Sequence, residues 1–257
     1  MKLTFLGTGT SVGVPAIGCD CTVCTSDDPR NQRRRTSIYL ESRTRKVLVD
    51  TPPDFREQAL TFNVRHIDAV LFTHFHADHV FGFDDIRRFN SIQGQIIPAY
   101  GSPSVVADLK RVFTYIGADH VPGVFRPRIE YRETNEDEFA VGDMHVQALP
   151  VVHGSMPTHG YVVRSEGRSI GYFPDCHRMS DEVVAALRGV DVMVLDALRH
   201  EPHSTHLTVA ESVGLLQRIG APRSFITHLC HDLDHHETQR ALPETMFVAY
   251  DGLELAW

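Results

Sequence analysis

The nine residues Leu71–His79 constrain this chain more than any other part of its sequence. An apolar strand ends at Thr73 and is followed by four side chains that can bind metal, in the pattern H-x-H-x-D-H: His74, His76, Asp78 and His79. Side chains two apart in an extended segment point to the same side, and a helix that begins at Asp78 turns the last two toward the same centre. Four ligands within six residues exceed what one tetrahedral ion takes from a local segment, so the pattern predicts a pair of adjacent ions.

Composition supports a metal site and argues against a nucleic-acid surface. The chain has 16 histidines among 257 residues, and histidine is the commonest metal ligand in proteins. Its 25 basic and 33 acidic residues give a formal net charge of −8, whereas an extended nucleic-acid surface needs a basic face. A small phosphorylated substrate is compatible with this charge, because bound cations would supply positive charge locally.

Length and patterning predict a single domain over residues 1–257. With 42% hydrophobic residues the chain can bury a sizeable core, and it shows neither an internal repeat nor a Gly/Ser linker. No apolar run approaches the roughly 18–20 residues that a membrane span needs. The apolar start breaks at Gly7, too early for the core of a secretory signal. We therefore expect a cytoplasmic protein that does not associate with membranes.

Short apolar runs separated by turn residues predict strands in both halves of the chain, with helices after some of them. This order favours an α/β fold of two mixed β-sheets with helices outside, rather than a regular alternation of strand and helix. Two of the predicted helices flank candidate site residues, Asp78–Phe89 and Thr208–Ile219. The second begins with a capping box, because Thr208 is followed three residues later by Glu211.

Three of the five cysteines lie within six residues, in the spacing C-x-C-x2-C: Cys19, Cys21 and Cys24. In a cytoplasmic protein such a cluster indicates a metal site rather than a disulfide framework. Three thiolates leave a tetrahedral zinc one ligand short, and His231 can complete a closed, structural Cys3His site. Cys230 is the alternative fourth ligand. The sequence thus predicts a zinc-binding loop at about residues 18–25.

The H-x-H-x-D-H motif after an apolar strand resembles the signature of the metallo-β-lactamase superfamily of metal-dependent hydrolases. Four further residues, each just beyond an apolar run, occur in the order of that superfamily: Asp50, His153, Asp175 and His228. Loops at strand ends are where functional residues concentrate. The resemblance implies a four-layer αββα sandwich of two mixed β-sheets.

The same resemblance divides the metal ligands into two groups. The groups are His74, His76 and His153 for one metal, and Asp78, His79 and His228 for the other. Asp175 would bridge both metals, and Asp50 would accept a hydrogen bond that orients a ligand imidazole. An aspartate at 175, where the zinc β-lactamases carry cysteine, is similar to the dinuclear hydrolases, so we do not expect hydrolysis of lactam drugs.

A dinuclear site of this kind predicts hydrolytic chemistry. Two adjacent divalent ions lower the pKa of a shared water, and they neutralise the charge that builds on a phosphoryl or acyl oxygen. Imidazole and carboxylate ligands suit several metals, of which we expect manganese or zinc in the active site. A poor leaving group, such as an alkoxide, also needs a general acid.

The start of the chain narrows the resemblance. The glycine-rich opening, the segment Gly13–Pro15 and the C-x-C-x2-C loop resemble the carbon–phosphorus lyase pathway phosphodiesterases that act on phosphoribosyl 1,2-cyclic phosphate. That family pairs a dinuclear centre with a structural Cys3His zinc, and carries an acid histidine between a late strand and the last long helix. His206 best matches this position and, with Asp78, is assigned a catalytic role, while His200 and His203 remain alternatives.

Other functions share the same core. A tRNA 3′-end-processing nuclease would need a basic arm, which the sequence does not show, and a thioester or lactone hydrolase would use the same ligands. A non-catalytic carrier is the alternative from another class, since the pyrroloquinoline quinone biosynthesis protein B family resembles this chain in its C-x-C-x2-C loop. Every core ligand position is filled here, which favours catalysis. A homodimer is possible for this chain, since it is the commonest assembly of soluble proteins. The run of three arginines, Arg33–Arg35, is expected to be a solvated turn.

Overall fold

The structure of the chain, a computed structural model, describes residues 1–119, 123–135 and 138–257. Within these ranges it has 14 β-strands: β1 (Lys2–Gly7), β2 (Ser37–Glu41), β3 (Lys46–Val49), β4 (Ala69–Leu71), β5 (Ile97–Gly101), β6 (Ile129–Glu133), β7 (Glu138–Val141), β8 (Met144–His153), β9 (Met156–Ser165), β10 (Arg168–Phe173), β11 (Val192–Asp196), β12 (Arg223–Thr227), β13 (Met246–Val248) and β14 (Glu254–Ala256). The same ranges have seven α-helices: α1 (Phe55–Thr61), α2 (Ala77–Val80), α3 (Ile86–Gln93), α4 (Pro103–Val112), α5 (Asp181–Ala186), α6 (Val209–Ile219) and α7 (His235–Ala241).

The described strands form two seven-stranded sheets that are built alike. The first has the order β14-β1-β2-β3-β4-β5-β6, and the second has the order β13-β12-β11-β10-β9-β8-β7. In the first sheet the pairings from β14 to β3 are antiparallel and those from β3 to β6 are parallel. In the second sheet the pairings from β7 to β10 are antiparallel and those from β10 to β13 are parallel. Both sheets are mixed, as predicted.

Three apolar layers hold the sheets and helices together. Between the sheets, Val49 and Leu71 of the first share one core with Val194 and Phe225 of the second. Helices α1, α3 and α4 cover the outer face of the first sheet, and α5 and α6 cover that of the second. Central strands such as β11 are buried along their whole length, because both faces of each sheet are covered. The predicted four-layer αββα sandwich is confirmed.

The prediction of one helix over Asp78–Phe89 was wrong. The structure has a single turn, α2, then a 3-10 turn, and then α3. The break lies where the chain meets the loop after β3: the Thr51 N–H donates to the His79 carbonyl, and the Gly82 N–H donates to the Thr51 carbonyl, both at 2.8 Å. A Cβ at Gly82 would lie 2.1 Å from the Pro52 carbonyl oxygen, so glycine is required for this close approach.

The sequence patterns also missed three edge strands and one helix. Strands β6, β7 and β14 lie at sheet edges and are largely exposed, so they lack the continuous apolar run of a central strand. Helix α7 begins after Asp234, whose carboxylate accepts from the N–H groups of His236 and Glu237 (3.0 and 2.9 Å). The capping box at Thr208 is present as predicted. Among the described helices, none combines the length and the hydropathy that crossing a membrane requires.

Candidate metal centre and active site

The predicted site residues meet at one edge of the sandwich. Parallel strands have their carboxyl ends at the same edge of a sheet, and β3 pairs parallel with β4, as do β10, β11 and β12 with one another. Strand β8 runs parallel to β10, because both pair antiparallel with β9. The residues that end or follow these strands are Asp50, His74, His153, Asp175, Asp196 and His228. The topology therefore brings residues from both halves of the chain to one place.

The first predicted ligand group draws on both sheets. His74 Nε2 lies 2.8 Å, and His153 Nε2 lies 3.2 Å, from His76 Nδ1. Two imidazole nitrogens that share a tetrahedral zinc lie roughly 3.3 Å apart, given zinc–nitrogen bonds of about 2.0–2.1 Å. His74 and His153 are buried, whereas His76 is half-buried. The group therefore has the spacing of three ligands of one ion and is most accessible at His76.

The second group lies against the first, with Asp175 between them. His79 Nε2 is 3.3 Å from Asp78 Oδ2 and 3.1 Å from Asp175 Oδ2. His228 Nε2 is 3.7 Å from Asp78 Oδ2 and 3.4 Å from Asp175 Oδ1. The same Oδ1 lies 3.7 Å from His153 Nε2, in the first group. One carboxylate thus faces both groups, as a bridging ligand must.

The chemistry of this centre fits bound cations. In the described part of the chain, His79 Nε2, His228 Nε2 and Asp175 Oδ2 are buried and make no hydrogen bond, an arrangement that is costly unless another partner satisfies them. Burial favours a neutral Asp175, yet His228 and His79 hold the pKa of this carboxyl well below its usual value. Burial likewise opposes a charged His79, yet Asp175 and Asp78 raise the pKa of that ring well above its usual value. The centre therefore favours positive charge, and its donors suit Zn²⁺ or Mn²⁺.

Hydrogen bonds on the far side of two rings set which nitrogen faces the centre. Nδ1 of His79 donates to Asp50 Oδ2, and Nδ1 of His153 donates to the Thr205 carbonyl, both at 2.8 Å. With its proton on Nδ1, each ring directs the lone pair of Nε2 toward the metal position. Asp50 also accepts from the N–H and the hydroxyl of Thr73 (2.9 and 2.8 Å), so its carboxylate is fixed in turn.

His206 lies beside both ligand groups and is held by a residue that the sequence analysis missed. Its Nδ1 donates to Asp196 Oδ2 (2.8 Å), and its ring stacks on His228 with centroids 4.6 Å apart. Asp196 is fully buried, and the same Oδ2 accepts from the Cys176 N–H (2.9 Å). The available signal was position, since Asp196, like Asp50, stands at the end of a strand at the ligand edge.

The two other candidate acid histidines are more exposed. His200 is exposed, and His203 is half-buried with its ring centroid 5.2 Å from that of His206. By contrast, a ring nitrogen of His206 lies within 4.8 Å of ligand atoms of His153 and Asp175. Of the three histidines, the structure thus places His206 at the centre.

The cysteine cluster meets His231, from a segment distant in sequence. Sγ of Cys19 and Sγ of Cys21 lie 3.1 and 3.4 Å from His231 Nδ1, and Cys24 completes a group whose ligand atoms lie within 4.8 Å of one another. Sulfur and nitrogen ligands of one tetrahedral zinc lie roughly 3.5 Å apart, so the group fits zinc. The Cys24 N–H, and then His231, lower the pKa of Cys21 to about 6, which favours the thiolate that zinc binds. Cys230 instead is buried and accepts from a backbone N–H two residues on (3.4 Å).

An αββα sandwich with histidines and aspartates clustered at one edge defines the class: hydrolases of the metallo-β-lactamase fold, which bind divalent metals. A model of the beta-lactamase superfamily domain matches residues 45–229, so the chain belongs to the metallo-β-lactamase superfamily. This confirms the resemblance that the H-x-H-x-D-H motif predicted.

The chain is similar to proteins that have been given different functional names. A crystal structure described as a new diphosphatase from the PhnP family is 40% identical, with a TM-score of 0.90, and the match covers 99% of this chain and 96% of that one. A Porphyromonas gingivalis protein named octanoyltransferase is 33% identical over 259 residues, which cover 99% of this chain and 51% of that protein. Coenzyme PQQ synthesis protein B of Methylorubrum populi is 29% identical over 228 residues, 76% of this chain and 72% of that protein. The chain therefore spans about half the length of the octanoyltransferase.

Proposed function

We propose that this chain is a dinuclear metal phosphodiesterase that hydrolyses a small phosphate diester, with a phosphoribosyl 1,2-cyclic phosphate-like ester as the leading substrate. The observation that carries the proposal is the carboxylate of Asp175, which faces both ligand groups while His206 lies beside them. Two adjacent cation positions next to a histidine suit attack on phosphorus and departure of an oxygen. The 40% identity to a diphosphatase supports cleavage of a phosphorus–oxygen bond.

Seven side chains would hold the two ions, Mn or Zn. They are His74, His76 and His153 for one, Asp78, His79 and His228 for the other, and Asp175 for both. When bound, the ions lower the pKa of a water and neutralise charge on the phosphoryl oxygens. The hydrogen bonds that Nδ1 of His79 and of His153 donate keep those rings in place, so the ligands need little reorganisation. Asp78 would also contact the attacking water, which gives it a catalytic role.

His206 would bind the phosphoryl group and protonate the departing oxygen. Burial, and then the charge of His228, lower the pKa of His206 to about 3, so the ring is neutral at pH 7 before substrate binds. A bound phosphate diester brings negative charge next to the ring and raises that pKa. Asp196 accepts the hydrogen bond from Nδ1, which leaves Nε2 available to the substrate and stabilises the imidazolium.

One observation favours a second candidate, hydrolysis of an acyl ester or thioester. The whole chain is similar to half of a protein named octanoyltransferase, and acyl transfer is chemistry at a carbonyl carbon rather than at phosphorus. The same ions would stabilise the charge on an acyl oxygen. The two candidates are distinguished by giving the same metal-loaded protein an octanoyl thioester and a phosphate diester. The bond that is cleaved identifies the activity.

A 31P NMR time course with manganese-reconstituted protein and phosphoribosyl 1,2-cyclic phosphate tests the proposal. The cyclic diester and its monoester product have separate resonances, so ring opening is observed directly. We expect conversion that His76→Ala abolishes, because the variant loses a ligand of the first group. A dinucleoside diphosphate in a parallel sample tests the bond that a diphosphatase cleaves. If the metals are present and no phosphate ester is converted, the proposal is wrong; conversion of the thioester would then favour an acyl hydrolase, and its absence a carrier.

The role of His206 has its own test. His206→Ala should lower kcat by about 10²–10⁴-fold, the usual contribution of a general acid, while metal content stays at the wild-type value. His203→Ala is the matched control, because His203 is a nearby half-buried histidine and should leave kcat within about threefold of the wild type. Equal activity of His206→Ala and the wild type would remove His206 from the mechanism.

A further inference from the structure

The run Arg33–Arg35 divides into one buried and two partly exposed side chains. The sequence predicted a solvated turn, and for Arg33 this was wrong, because its residue is 1% exposed. Arg34 and Arg35 are partly exposed and form ion pairs with Glu57 and Asp54 (2.8 and 2.9 Å). The buried member of the run therefore has a different role from its neighbours.

Arg33 uses its guanidinium to bind backbone carbonyls rather than a carboxylate. Nη1 donates to the Cys230 carbonyl (3.0 Å) and Nη2 to the Leu233 carbonyl (2.7 Å) and to Asn31 Oδ1 (3.2 Å). Among the described residues, the three hydrogen bonds of its side chain go to two backbone carbonyls and one amide oxygen, and none goes to a carboxylate. Burial lowers the pKa of Arg33 to about 10, which still leaves the group charged at neutral pH. A buried charge without a close counter-ion is costly. Two of the three side-chain hydrogen bonds of Arg33 are made to carbonyls of one loop, and the third is made to Asn31.

That loop, residues 228–233, carries one predicted ligand of the second catalytic site and one of the structural zinc site. His228 belongs to the second catalytic group and His231 to the cysteine cluster. His228 has a φ of 61°, a left-handed conformation that non-glycine residues rarely adopt, so the surrounding contacts must hold it. On one side, Leu229 N–H donates to the Thr8 carbonyl (2.9 Å) and the Thr10 N–H donates to the Leu229 carbonyl (3.1 Å).

On its other side the loop is held by Arg33 and Asn31. Asn31 is fully buried, donates to Asp234 Oδ2 (2.8 Å) and accepts from the His235 N–H (2.9 Å), just beyond the two carbonyls that Arg33 binds. The backbone of Arg33 in turn pairs with Val14 beside the cysteine cluster, through hydrogen bonds of 2.7 and 2.9 Å. Arg33 therefore joins the segment before the cysteines to the loop that reaches both sites.

We infer that Arg33 is a positioning residue that couples the structural zinc site to the second catalytic metal site. By holding the loop at Cys230 and Leu233, it places His231 at the cysteines and His228 at Asp78 and Asp175. The inference rests on the proposed metal centre, and it does not depend on the substrate. Loss of Arg33 should weaken two metal sites together and leave the His74–His76–His153 site intact.

The experiment compares zinc retention in full-length Arg33→Met, Arg33→Lys, Arg34→Gln and wild-type protein. Each is loaded with zinc and titrated with EDTA, with bound zinc measured by mass spectrometry and exposed thiols by a colorimetric reagent. Wild type and Arg34→Gln should retain three equivalents. Arg33→Met should release two equivalents at an EDTA concentration at least tenfold lower than wild type, with three additional thiols reacting, while the third equivalent is released as in wild type. Arg33→Lys, which keeps the charge but has a single donor group, should fall between them.

Circular dichroism of each variant separates positioning from general support of the fold. In a folded Arg33 variant, release of all three equivalents together would show a general loss of stability rather than the positioning of one loop, and would overturn the inference. If Arg33→Met does not fold, Arg33→Lys is used for the test instead. A folded Arg33 variant that retains all three zinc equivalents as strongly as the wild type would also overturn the inference. A wild-type protein that binds fewer than three equivalents would contradict both the metal centre and the coupling, whereas normal retention by Arg33→Met contradicts the coupling alone.

Discussion

At the scale of single residues, the contact between Asp196 and Nδ1 of His206 leaves the other ring nitrogen, Nε2, without this partner, and we proposed that Nε2 contacts the substrate. In Asp196→Asn the amide can donate to Nδ1 and favour the other tautomer, so we expect kcat to fall by about ten- to hundredfold with metal content unchanged. Steady-state kinetics with metal analysis measure both quantities. Asp191→Asn is the matched control. Asp191 lies just before β11, at the end of the strand opposite Asp196, and its carboxylate accepts from the Ser169 N–H. Equal kcat values for the two variants would show that Asp196 does not orient the ring.

A second residue predicts a pH dependence of stability. Burial raises the pKa of Asp251 from 3.8 to about 7, although Arg34 N–H and the Thr8 hydroxyl donate to its carboxylate (both 2.8 Å). Between these two values the folded chain holds a proton that the unfolded chain has released. The stability contributed by this group is therefore present below about pH 4 and is lost as pH rises through about 7.

Asp251→Asn cannot titrate and removes this dependence. The free energy of unfolding of the wild type, relative to Asp251→Asn, should decrease by up to about 1.4 kcal/mol per pH unit between pH 5 and 7. Urea denaturation of both proteins in EDTA measures the difference without a contribution from metal binding. A difference that does not change over this range, or that increases with pH, would contradict the assignment.

At the scale of secondary structure, the start of α6 holds the loop that carries His206. The Thr208 hydroxyl accepts from the Glu211 N–H (3.1 Å), and the Glu211 carboxylate accepts from the Thr208 N–H (2.8 Å). Thr208→Ala should lower the free energy of unfolding by about 1 kcal/mol, because a backbone donor of the first turn loses its partner. Thr208→Ser keeps the hydroxyl, and because serine is at least as good an N-cap as threonine, it should cost less than Thr208→Ala. Chemical denaturation of both variants checks the order, and equal losses would exclude the cap as the cause.

At the scale of the whole molecule, the metal centre links the two sheets. His74, His76, Asp78 and His79 follow a strand of the first sheet, whereas His153, Asp175 and His228 come from the second. Ions bound to both sets stabilise the folded chain, since these ligands are dispersed in the unfolded chain. For a metal held at a free concentration a thousandfold above its Kd, removal with EDTA should therefore lower the free energy of unfolding by on the order of 4 kcal/mol. Thermal melts with and without EDTA measure this loss, and His76→Ala should show a smaller one.

Much of the fold and of the candidate site was predictable because it depends on near neighbours in sequence. The alternation of short apolar runs and turns predicted two mixed sheets, and the Thr208 cap was visible from Glu211 three residues on. The spacing of His74, His76, Asp78 and His79 follows from one strand and one turn, so the resemblance to the superfamily could be seen without coordinates. Edge strands such as Glu254–Ala256 were not predictable, because the neighbouring strand, rather than an apolar run, determines their pairing.

The sequence by itself determined the strand pattern, the H-x-H-x-D-H segment and the cysteine spacing, since each is local. The tertiary structure alone decided which distant residues meet. It brought His231 rather than Cys230 to Cys19, 212 residues away, and it ended the helix at Val80, against the loop at Thr51. It also buried Arg33 among carbonyls. Such outcomes depend on the packing of two sheets and on which hydrogen bonds remain available at their edge, and no local pattern contains that information.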